Sequence, residues 1–413
     1  RESQDRRKGA RGRMAPRLLS RLAGRGLDLL ETVRPAPLGP RGGPSVLIID
    51  NRFPDPARDS GSLDALNYIG WFRRLGYRVT LLSLGEHGAR PRHRRFAARA
   101  GAQVPALPRV PDIEAYLQRS AARHDLLFLT RITHGGRYAG LLRRVAPGAR
   151  QIFNTVDLHH LRARREAELA GAPEARAHAE RLRRAEFALA EAADATIVVS
   201  EHEADLLRAA CPGARIWLMP LYRPVPARIP GFAARDGIGF VADFAHKPNV
   251  DALRHFLAAV WPSVRRGAPA IRFDIAGGAL PDEIGRALPE GVRHLGRVRD
   301  LEGWLAGLRL TVAPLRFGAG AKGKVASSIC NGVPVVGTSV AMEGMWHPGE
   351  GVRVADDPVL MATQIVRLHD DPDAWARASA AAHAYAQAHF SPEAGLERFA
   401  AFLSEIAPAG GQD

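Results

Sequence analysis

Short apolar runs alternate with longer amphipathic stretches from Ser45 onward. The run "SVLIID" at 45–50 predicts a buried strand. The stretch "LDALNYIGWFRRL" at 63–75 has apolar residues at helical spacing and stops at Gly76, which predicts a helix. "RVTLLSL" predicts the next strand. A strand, a helix and a strand in this order form the unit of a parallel sheet with helices on its faces.

The same alternation continues through the first half of the chain. We predict one long Ala/Arg/Glu-rich helix over about His160–Ala192, and a shorter helix after Ser200, which is a good N-cap. The further predicted strands of this half are Asp125–Thr130, Gln151–Val156, Ala195–Ser200 and Ile216–Pro220.

A proline-rich segment, "LYRPVPARIPGFAARD", then interrupts the pattern and is the best linker in the chain. The alternation restarts with the strand runs "GIGFVA", "IRFDIAGG", "VRHLG", "LTVAPL" and "VPVVGT", with helices between them and two or three helices at the end.

Because 413 residues exceed one ordinary core, the predicted fold class is α/β with two doubly wound, Rossmann-like domains that face a cleft. The predicted divisions are a basic, disordered arm at 1–44, a first domain at 45–220, a linker at 221–236, a second domain at 237–391, and a C-terminal helix and tail at 392–413 for which a return to the first domain is one option.

The formal net charge of +15 is compatible with phosphate-bearing substrates, an anionic membrane surface or nucleic acid. No run of apolar residues is long enough for a membrane span, and the basic arm lacks the apolar centre of a signal peptide. A membrane-surface helix at Leu18–Leu22 is the alternative to disorder in the arm. Cys211 and Cys330 cannot form a disulfide framework, so we expect reduced thiols in a cytoplasmic protein.

Ligands of doubly wound sheets bind outside the carboxyl ends of the strands, so the stretches directly after strands are the candidate sites. Two facing halves would bring the first two of these stretches opposite the other three. They are "NRFPDPARDSGS", "DLHHLRARRE", "ADFAHKPNVD", "GGALPDE" and "RFGAGAKGKV".

The last of these stretches, the glycine–lysine loop at 316–325, has the chemistry of a phosphate site. Gly318, Gly320 and Gly323 permit positive φ and a close approach of the backbone to a ligand. The loop leads into a predicted helix, whose first N–H groups attract anions, and Lys322 and Lys324 add mobile positive charge. The alternative is a solvated turn whose charges face only water.

The rarity of lysine favours a functional loop. The chain has four lysines against 54 arginines, and three of the four (Lys247, Lys322 and Lys324) follow strands of the second half. The loop is not a magnesium-nucleotide loop of the Walker type, because Val325 stands where Ser or Thr would be required.

Residues 237–388 resemble the nucleotide-sugar-binding domain of retaining GT-B glycosyltransferases of family four, also called group one. The resemblance lies in "GFVADFAHKPNVDAL", "IAGG" and "VRHLGRVRDLEGWLAGLRLTVAPLRFGAGAKGKVASSICNGVPVVGTSVAMEGM", and more weakly in "VLIIDNRFPDPARDSGSL" and "NTVDLHHLRARREAEL" of the first half. The loop is similar to a branch of the family with Gly-Ala-Gly-x-Lys-Gly-Lys. The chain departs from the family where Ala319 and Ser327 replace a pair of glutamates, and where Asp243 lies near the position of a phosphate-binding arginine.

The resemblance implies sugar transfer from a nucleoside diphosphate sugar with retention at the anomeric carbon and no required cofactor or metal. It implies that Lys322 and Lys324 hold the diphosphate, and that His159 reaches the donor sugar; for His159 or its neighbour His160, the alternative is a helix-start histidine with local hydrogen bonds. Asp59 would help to shape the cleft floor. The other implied donor-binding residues are Ser60, Gly61, His246, Lys247, Asn249, Gly318, Gly320, Gly323, Ser327 and Glu343.

We therefore expect a glycosyltransferase of the hexosyltransferase type, acting on a glycan or lipid-diphosphate acceptor in surface polysaccharide synthesis. The basic segment "HGARPRHRRFAARA", which begins at His87, favours a cytoplasmic protein at the inner face of the membrane. The alternative is a GT-B-like binding or scaffold protein without turnover. Nucleic-acid binding is disfavoured because only Phe96 interleaves the basic runs, and a sugar epimerase or phosphorylase stays open because fold does not determine function.

Overall fold

The computed structural model describes residues 43–56, 60–85, 91–105, 111–171, 173–345, 349 and 351–406. Almost all of the predicted arm, Asp59 and His87 therefore lie outside the described residues. The described chain contains two parallel sheets with helices on their faces, as predicted. No helix in these ranges is long and apolar enough to cross a membrane.

The first sheet has seven parallel strands in the order β3-β2-β1-β4-β5-β6-β7. The apolar runs of the sequence form these strands because both sheet faces are covered by helices. The strands are β1 (Ser45–Asp50), β2 (Arg78–Ser83), β3 (Ala102–Gln103), β4 (Leu126–Thr130), β5 (Arg150–Asn154), β6 (Ala195–Val198) and β7 (Ile216–Leu218). The helices are α1 (Ser60–Arg74), α2 (Pro91–Arg99), α3 (Pro111–Ser120), α4 (Ala139–Val145), α5 (His159–Ala170), α6 (Pro173–Ala192) and α7 (Glu201–Ala210).

The second sheet has six parallel strands in the order β10-β9-β8-β11-β12-β13. The strands are β8 (Ile238–Val241), β9 (Phe273–Ala276), β10 (Val292–Gly296), β11 (Leu310–Ala313), β12 (Val335–Gly337) and β13 (Val352–Val354). The helices are α8 (Lys247–His255), α9 (Trp261–Gly267), α10 (Asp282–Arg286), α11 (Leu301–Ala306), α12 (Gly323–Cys330), α13 (Ser339–Met342), α14 (Pro358–Asp370), α15 (Pro372–His389) and α16 (Pro392–Ile406). One π-helical turn, Phe256–Val260, joins α8 to α9.

The prediction of one long helix over His160–Ala192 was wrong. The structure has two helices, because α5 ends at Gly171 in the left-handed region with φ of 65° and Pro173 opens α6. The sequence also did not indicate β3 and β13, which have two and three residues and are too short to carry a periodic pattern.

Both sheets reverse their strand order at one point, between β1 and β4 in the first sheet and between β8 and β11 in the second. In open parallel sheets the crevice for a ligand lies at the carboxyl ends of the strands at this switch point. The glycine–lysine loop follows β11 and therefore begins at the switch point of the second sheet.

The last helix, α16, packs against the first sheet rather than the second. Phe399 contacts Tyr68, Trp71 and Phe72, with ring centroids 5.5, 5.5 and 4.9 Å apart. Phe399 is completely buried in the core of the first half. The chain therefore crosses between the halves twice, through the linker and again before α16.

Candidate functional site

The glycine–lysine loop adopts backbone conformations that need glycine. Gly318 and Gly320 have φ of 152° and 68°, in the region that L side chains rarely adopt. α12 begins directly after the loop at Gly323, and Lys322 occupies its N-cap without a capping side-chain bond. The first turn of α12 therefore presents backbone N–H groups and the positive end of the helix dipole toward the loop.

Lys322 is buried at the centre of this site. Its Nζ donates hydrogen bonds to the carbonyl oxygens of Ala319, at 3.1 Å, and Gly320, and its backbone N lies 2.8 Å from Sδ of Met345. Burial lowers the pKa of Lys322, although Glu203 and other acids nearby favour the charged form. The ammonium is thus held by neutral carbonyls within the loop, close to groups of the first half.

Lys324 lies on the first turn of α12 and is partly buried. Its Nζ donates to Oδ1 of Asn249 at 2.5 Å and lies 4.6 Å from the ring centroid of Phe240. Burial, together with the charge of Lys322, lowers the pKa of Lys324 to about 7. The structure therefore brings the predicted residues Lys324 and Asn249 into direct contact, and it gives Lys324 no carboxylate partner among the hydrogen bonds and ion pairs of the described residues.

The facing side of the site is the start of α5. His159 is buried, with Nδ1 3.3 Å from Oγ1 of Thr133 and Nε2 3.4 Å from Oδ1 of Asp157. Asp157 also pairs with Arg162. Burial would raise the pKa of Asp157, but Arg162 and His159 hold it well below its usual range. Asp157 is therefore an ionised acid beside His159.

The loop and the first half approach each other closely. A Cβ added to Gly320 would lie 2.8 Å from Cβ of Asp157, so only glycine fits there without movement. Arg165 of α5 reaches across and donates to the carbonyl oxygen of Gly318 at 2.7 Å. One residue of the first half thus contacts the loop backbone directly.

Arg165 also forms a two-bond ion pair with Glu343, with both N–O distances 2.6 Å. His202 of α7 contacts the same carboxylate, with Nε2 2.9 Å from Oε1. Burial would raise the pKa of Glu343, but the bonds from Arg165 lower it overall. Glu343, predicted to contact a donor, is therefore bonded to Arg165 and in contact with His202, both from the first half.

A cavity of ≈ 120 Å³ lies between the halves. Gly61, in the first turn of α1, and Gly323, the first residue of α12, both line it. Two helix N-termini, one from each half, therefore border the same space. The remaining wall includes Asn154, Trp71 and Tyr222.

Three non-glycine residues in the described ranges have positive φ, and each lies just beyond the carboxyl end of a strand. Arg131 follows β4, Val156 lies two residues beyond β5, and Ala279 lies three residues beyond β9, with φ of 62°, 63° and 61°. Val156 is β-branched, so this conformation is strained, and it lines the cavity. The non-glycine residues with positive φ in the described ranges thus lie at the carboxyl edges of the sheets.

The other predicted residues lie around this centre. Lys247 is largely exposed and its Nζ lies 2.8 Å from Oε1 of Glu166 in the first half. His246 is the exposed N-cap of α8. Ser327 lies on α12, where its backbone oxygen accepts a hydrogen bond from Nδ2 of Asn331 at 2.9 Å. Ser60 begins α1, and its side chain is not described. In the described ranges, no three His, Cys, Asp or Glu side chains are grouped as metal ligands.

Sequence reasoning did not identify Asp157, Arg165 and His202 as site residues. Asp157 and Arg165 lie in "DLHHLRARRE", a stretch that the strand positions had indicated, but only its histidines were singled out. Their contacts join residues as far as 178 positions apart, so no local pattern reveals them.

Residues 235–371, about a third of the chain, match the family model described as glycosyl transferases group 1. No curated protein sequence matches the chain significantly. The family match covers the second sheet from β8 to β13 and includes the glycine–lysine loop.

Solved glycosyltransferase structures share the fold over most of the chain. Sucrose-phosphate synthase from Thermosynechococcus elongatus has a TM-score of 0.70 at 16% identity, with 88% of this chain and 99% of that chain covered. HepE from Anabaena, solved with UDP and glucose, has a TM-score of 0.66 at 15% identity, with 88% of this chain and 100% of that chain covered. The pneumococcal O-GlcNAc transferase GtfA, solved with UDP and GlcNAc, has a TM-score of 0.64 at 11% identity, with 89% of this chain and 99% of that chain covered. The chain thus has the GT-B fold of two Rossmann-like domains.

Proposed function

We propose that this protein is a retaining glycosyltransferase that transfers a sugar from a nucleoside diphosphate sugar to a glycan or lipid-linked acceptor. The observation that carries the proposal is the pair of helix N-termini, at Gly61 and Gly323, that border one cavity between the halves. Lys322 and Lys324 flank Gly323. Backbone N–H groups, two helix dipoles and two ammonium groups suit a diphosphate.

The chemistry requires stabilisation of the diphosphate as negative charge builds on it during bond cleavage. Lys322 and Lys324 hold their ammonium groups on acceptors of the protein, the carbonyl oxygens of Ala319 and Gly320 and the side chain of Asn249, and a bound diphosphate would take the place of some of these acceptors. The lowered pKa of each lysine reflects the burial of its cationic form. A bound diphosphate would favour the charged ammonium and thereby be held more firmly.

We assign His159 to the donor sugar, with Asp157 as the acid that orients its ring. Retention would follow from attack of the acceptor on the face that the diphosphate leaves, with a diphosphate oxygen taking the proton of the acceptor hydroxyl. In this mechanism the protein needs no carboxylate nucleophile. It also assigns no step to a metal ion.

UDP-sugars are the first donors to test, because the two neighbours HepE and GtfA were solved with UDP. We propose that the acceptor is a lipid diphosphate or a glycan in surface polysaccharide synthesis. The exposed arginines of α2, Arg95 and Arg99, support a position at an anionic inner membrane surface. Flotation with anionic vesicles should fall when these two arginines are replaced by glutamine, and unchanged flotation would reject the membrane part of the proposal.

The decisive experiment measures binding and then turnover. UDP, GDP, ADP and their glucose conjugates are titrated by calorimetry, and release of the nucleoside diphosphate is followed with and without candidate acceptors. Lys322→Met should weaken binding at least about tenfold, since a charge-assisted contact is lost. Lys247→Ala is the matched control, because Lys247 is exposed and pairs with Glu166.

The same measurements separate the proposal from its alternative. Binding of a nucleoside diphosphate sugar without release or transfer under any condition would favour a non-catalytic scaffold. Absence of binding by every nucleotide would reject both. Release that is insensitive to Lys322→Met would reject the assigned site.

A further inference from the structure

Helix α5, which carries His159 at its first position, begins without a local cap. Its N-cap residue is Leu158, which is completely buried and makes no side-chain capping bond. Leucine is a poor N-cap because it has no acceptor for the first N–H groups of the helix. Those N–H groups lie in the interior, where water cannot satisfy them.

Two buried carboxylates from other helices supply the missing acceptors. Glu186 of α6 accepts from the backbone N of His159 at 2.7 Å and from that of His160 at 3.0 Å. Glu203 of α7 accepts from the backbone N of Leu158 at 2.8 Å. Three consecutive backbone N–H groups at the start of α5 are thus bonded to two side chains that lie 26 to 45 residues further along the chain.

Neither carboxyl group reaches water, because Glu186 and Glu203 are both fully buried. Burial raises the pKa of Glu203 to about 7. A buried carboxyl group is costly unless it is hydrogen-bonded, and here the N-terminus of α5 supplies the donors. A serine or aspartate at position 158 would cap the helix locally at far lower cost. The arrangement used instead ties the start of α5 to α6 and α7 at the same time.

This tie determines where the imidazole of His159 can lie. The ring reaches Thr133 on one side and Asp157 on the other, so small rotations of the first turn of α5 would break both contacts. Glu186 in addition lies 2.6 Å from Nδ1 of His160, which is packed edge-on against Phe187. The neighbouring histidine therefore anchors the start of α5 to α6, while His159 contacts Thr133 and Asp157.

We propose that Glu186 and Glu203 are positioning residues for His159, acting through the backbone N–H groups of residues 158–160. The inference rests on the proposed function, in which His159 contacts the donor sugar. Neither glutamate is assigned a contact with substrate. Their effect is to hold the first turn of α5, and hence the imidazole, in the orientation that transfer requires.

The test uses Glu186→Gln, which replaces one of the two accepting oxygens by an NH2 group, and Glu203→Met, which removes the acceptor, in the full chain, with Glu191→Gln as control. Glu191 lies on the same helix as Glu186 but is exposed. We expect kcat for UDP-sugar turnover to fall about tenfold or more in the first two variants, since small misplacement of a catalytic group is costly. For Glu186→Gln, the KM for the donor and the dissociation constant for UDP should stay within about twofold, because the hydrogen bonds of Glu186 are to residues 159 and 160 and not to the lysine loop.

A second arm distinguishes positioning from a general loss of structure. In the His159→Ala background, Glu186→Gln should cause no further fall in kcat, because the group through which it acts is gone. A purely structural role would lower kcat by the same factor in both backgrounds. Equal factors in the two backgrounds, or unchanged kcat in both Glu186→Gln and Glu203→Met, would overturn the inference.

A third measurement does not depend on turnover. The amides of residues 158–160 should exchange with deuterium faster in Glu186→Gln than in the wild type, and the ring signals of His159 should shift. If the wild type turns over no donor, the proposed function fails while these signals still test the positioning. Unchanged exchange and unchanged ring signals would reject the positioning even in an active enzyme.

Discussion

Lys324 allows a quantitative test of the phosphate site, because burial lowers its pKa to about 7. At pH 7.5 only about a quarter of the molecules then carry a charged Lys324. A bound diphosphate would restore the ordinary lysine pKa, so nucleotide binding at pH 7.5 should take up about three quarters of a proton at this residue. Affinity should accordingly be highest below pH 7 and should decline as the pH rises above 7.

Isothermal titration calorimetry of UDP in HEPES and in Tris measures the number of protons taken up, from the dependence of the heat on the buffer. Lys324→Arg is the matched control, because arginine stays charged with and without nucleotide. The number of protons taken up on binding should therefore be lower in this variant than in the wild type by about three quarters of a proton. Comparing the two proteins cancels the contribution of the nucleotide. Equal proton numbers in the two proteins would refute the reasoning.

The same residue should lower the free energy of unfolding. The pKa of Lys324 is about 7 when folded and ordinary when unfolded, so between pH 7 and about 10 the unfolded chain binds more protons and stability rises with pH. At pH 7.5 the cost is about 4 kcal/mol at most, reduced by the bond to Asn249. Lys324→Met should therefore unfold at higher urea than the wild type while binding UDP more weakly. A less stable methionine variant would show that burial of this charge is not costly.

Three further substitutions test contacts between the halves. Gly320→Ala should lower kcat and cost about 1–3 kcal/mol of stability, because the residue has φ of 68° and its Cβ would meet Asp157; steady-state rates and urea unfolding measure this. Arg165→Met should raise the donor KM and increase the radius of gyration in X-ray scattering, since the ion pair with Glu343 and the bond to the loop are lost. Lys247→Ala should leave the UDP dissociation constant within about twofold in calorimetry, because its pair with Glu166 is exposed.

Each of these has a control or an opposing outcome. Gly148→Ala adds a methyl group where no atom lies within 4 Å and should be tolerated. Arg164→Met removes an exposed pair on the same helix as Arg165 and should not change the radius of gyration. A marked loss of UDP affinity in Lys247→Ala would return that residue to the donor site that the family resemblance implied.

The order of strands and helices could be read from the sequence because it depends on local periodicity. Buried parallel strands are continuous apolar runs such as "SVLIID", and the connecting helices repeat their apolar residues with the helical period. Where a boundary depended on one conformation, as at Gly171, the pattern alone was insufficient and one predicted helix became two.

The glycine–lysine loop could also be singled out from the sequence. Its glycines, its lysines and its place after an apolar run are all local features, and the rarity of lysine added weight to them. The roles of the individual loop residues stay predictions. The structure adds that Lys322 is buried among carbonyls and that Lys324 contacts Asn249, two facts that depend on how the loop folds against α8.

Only the tertiary structure decided what faces the loop. The pairing of Arg165 with Glu343 and the capping of α5 by Glu186 and Glu203 join residues that are 26 to 178 positions apart. Such contacts depend on the placement of one half against the other and of three helices around one point. Local hydrophobic periodicity shows which residues are buried, but it carries no information on which buried or cleft-facing charges meet.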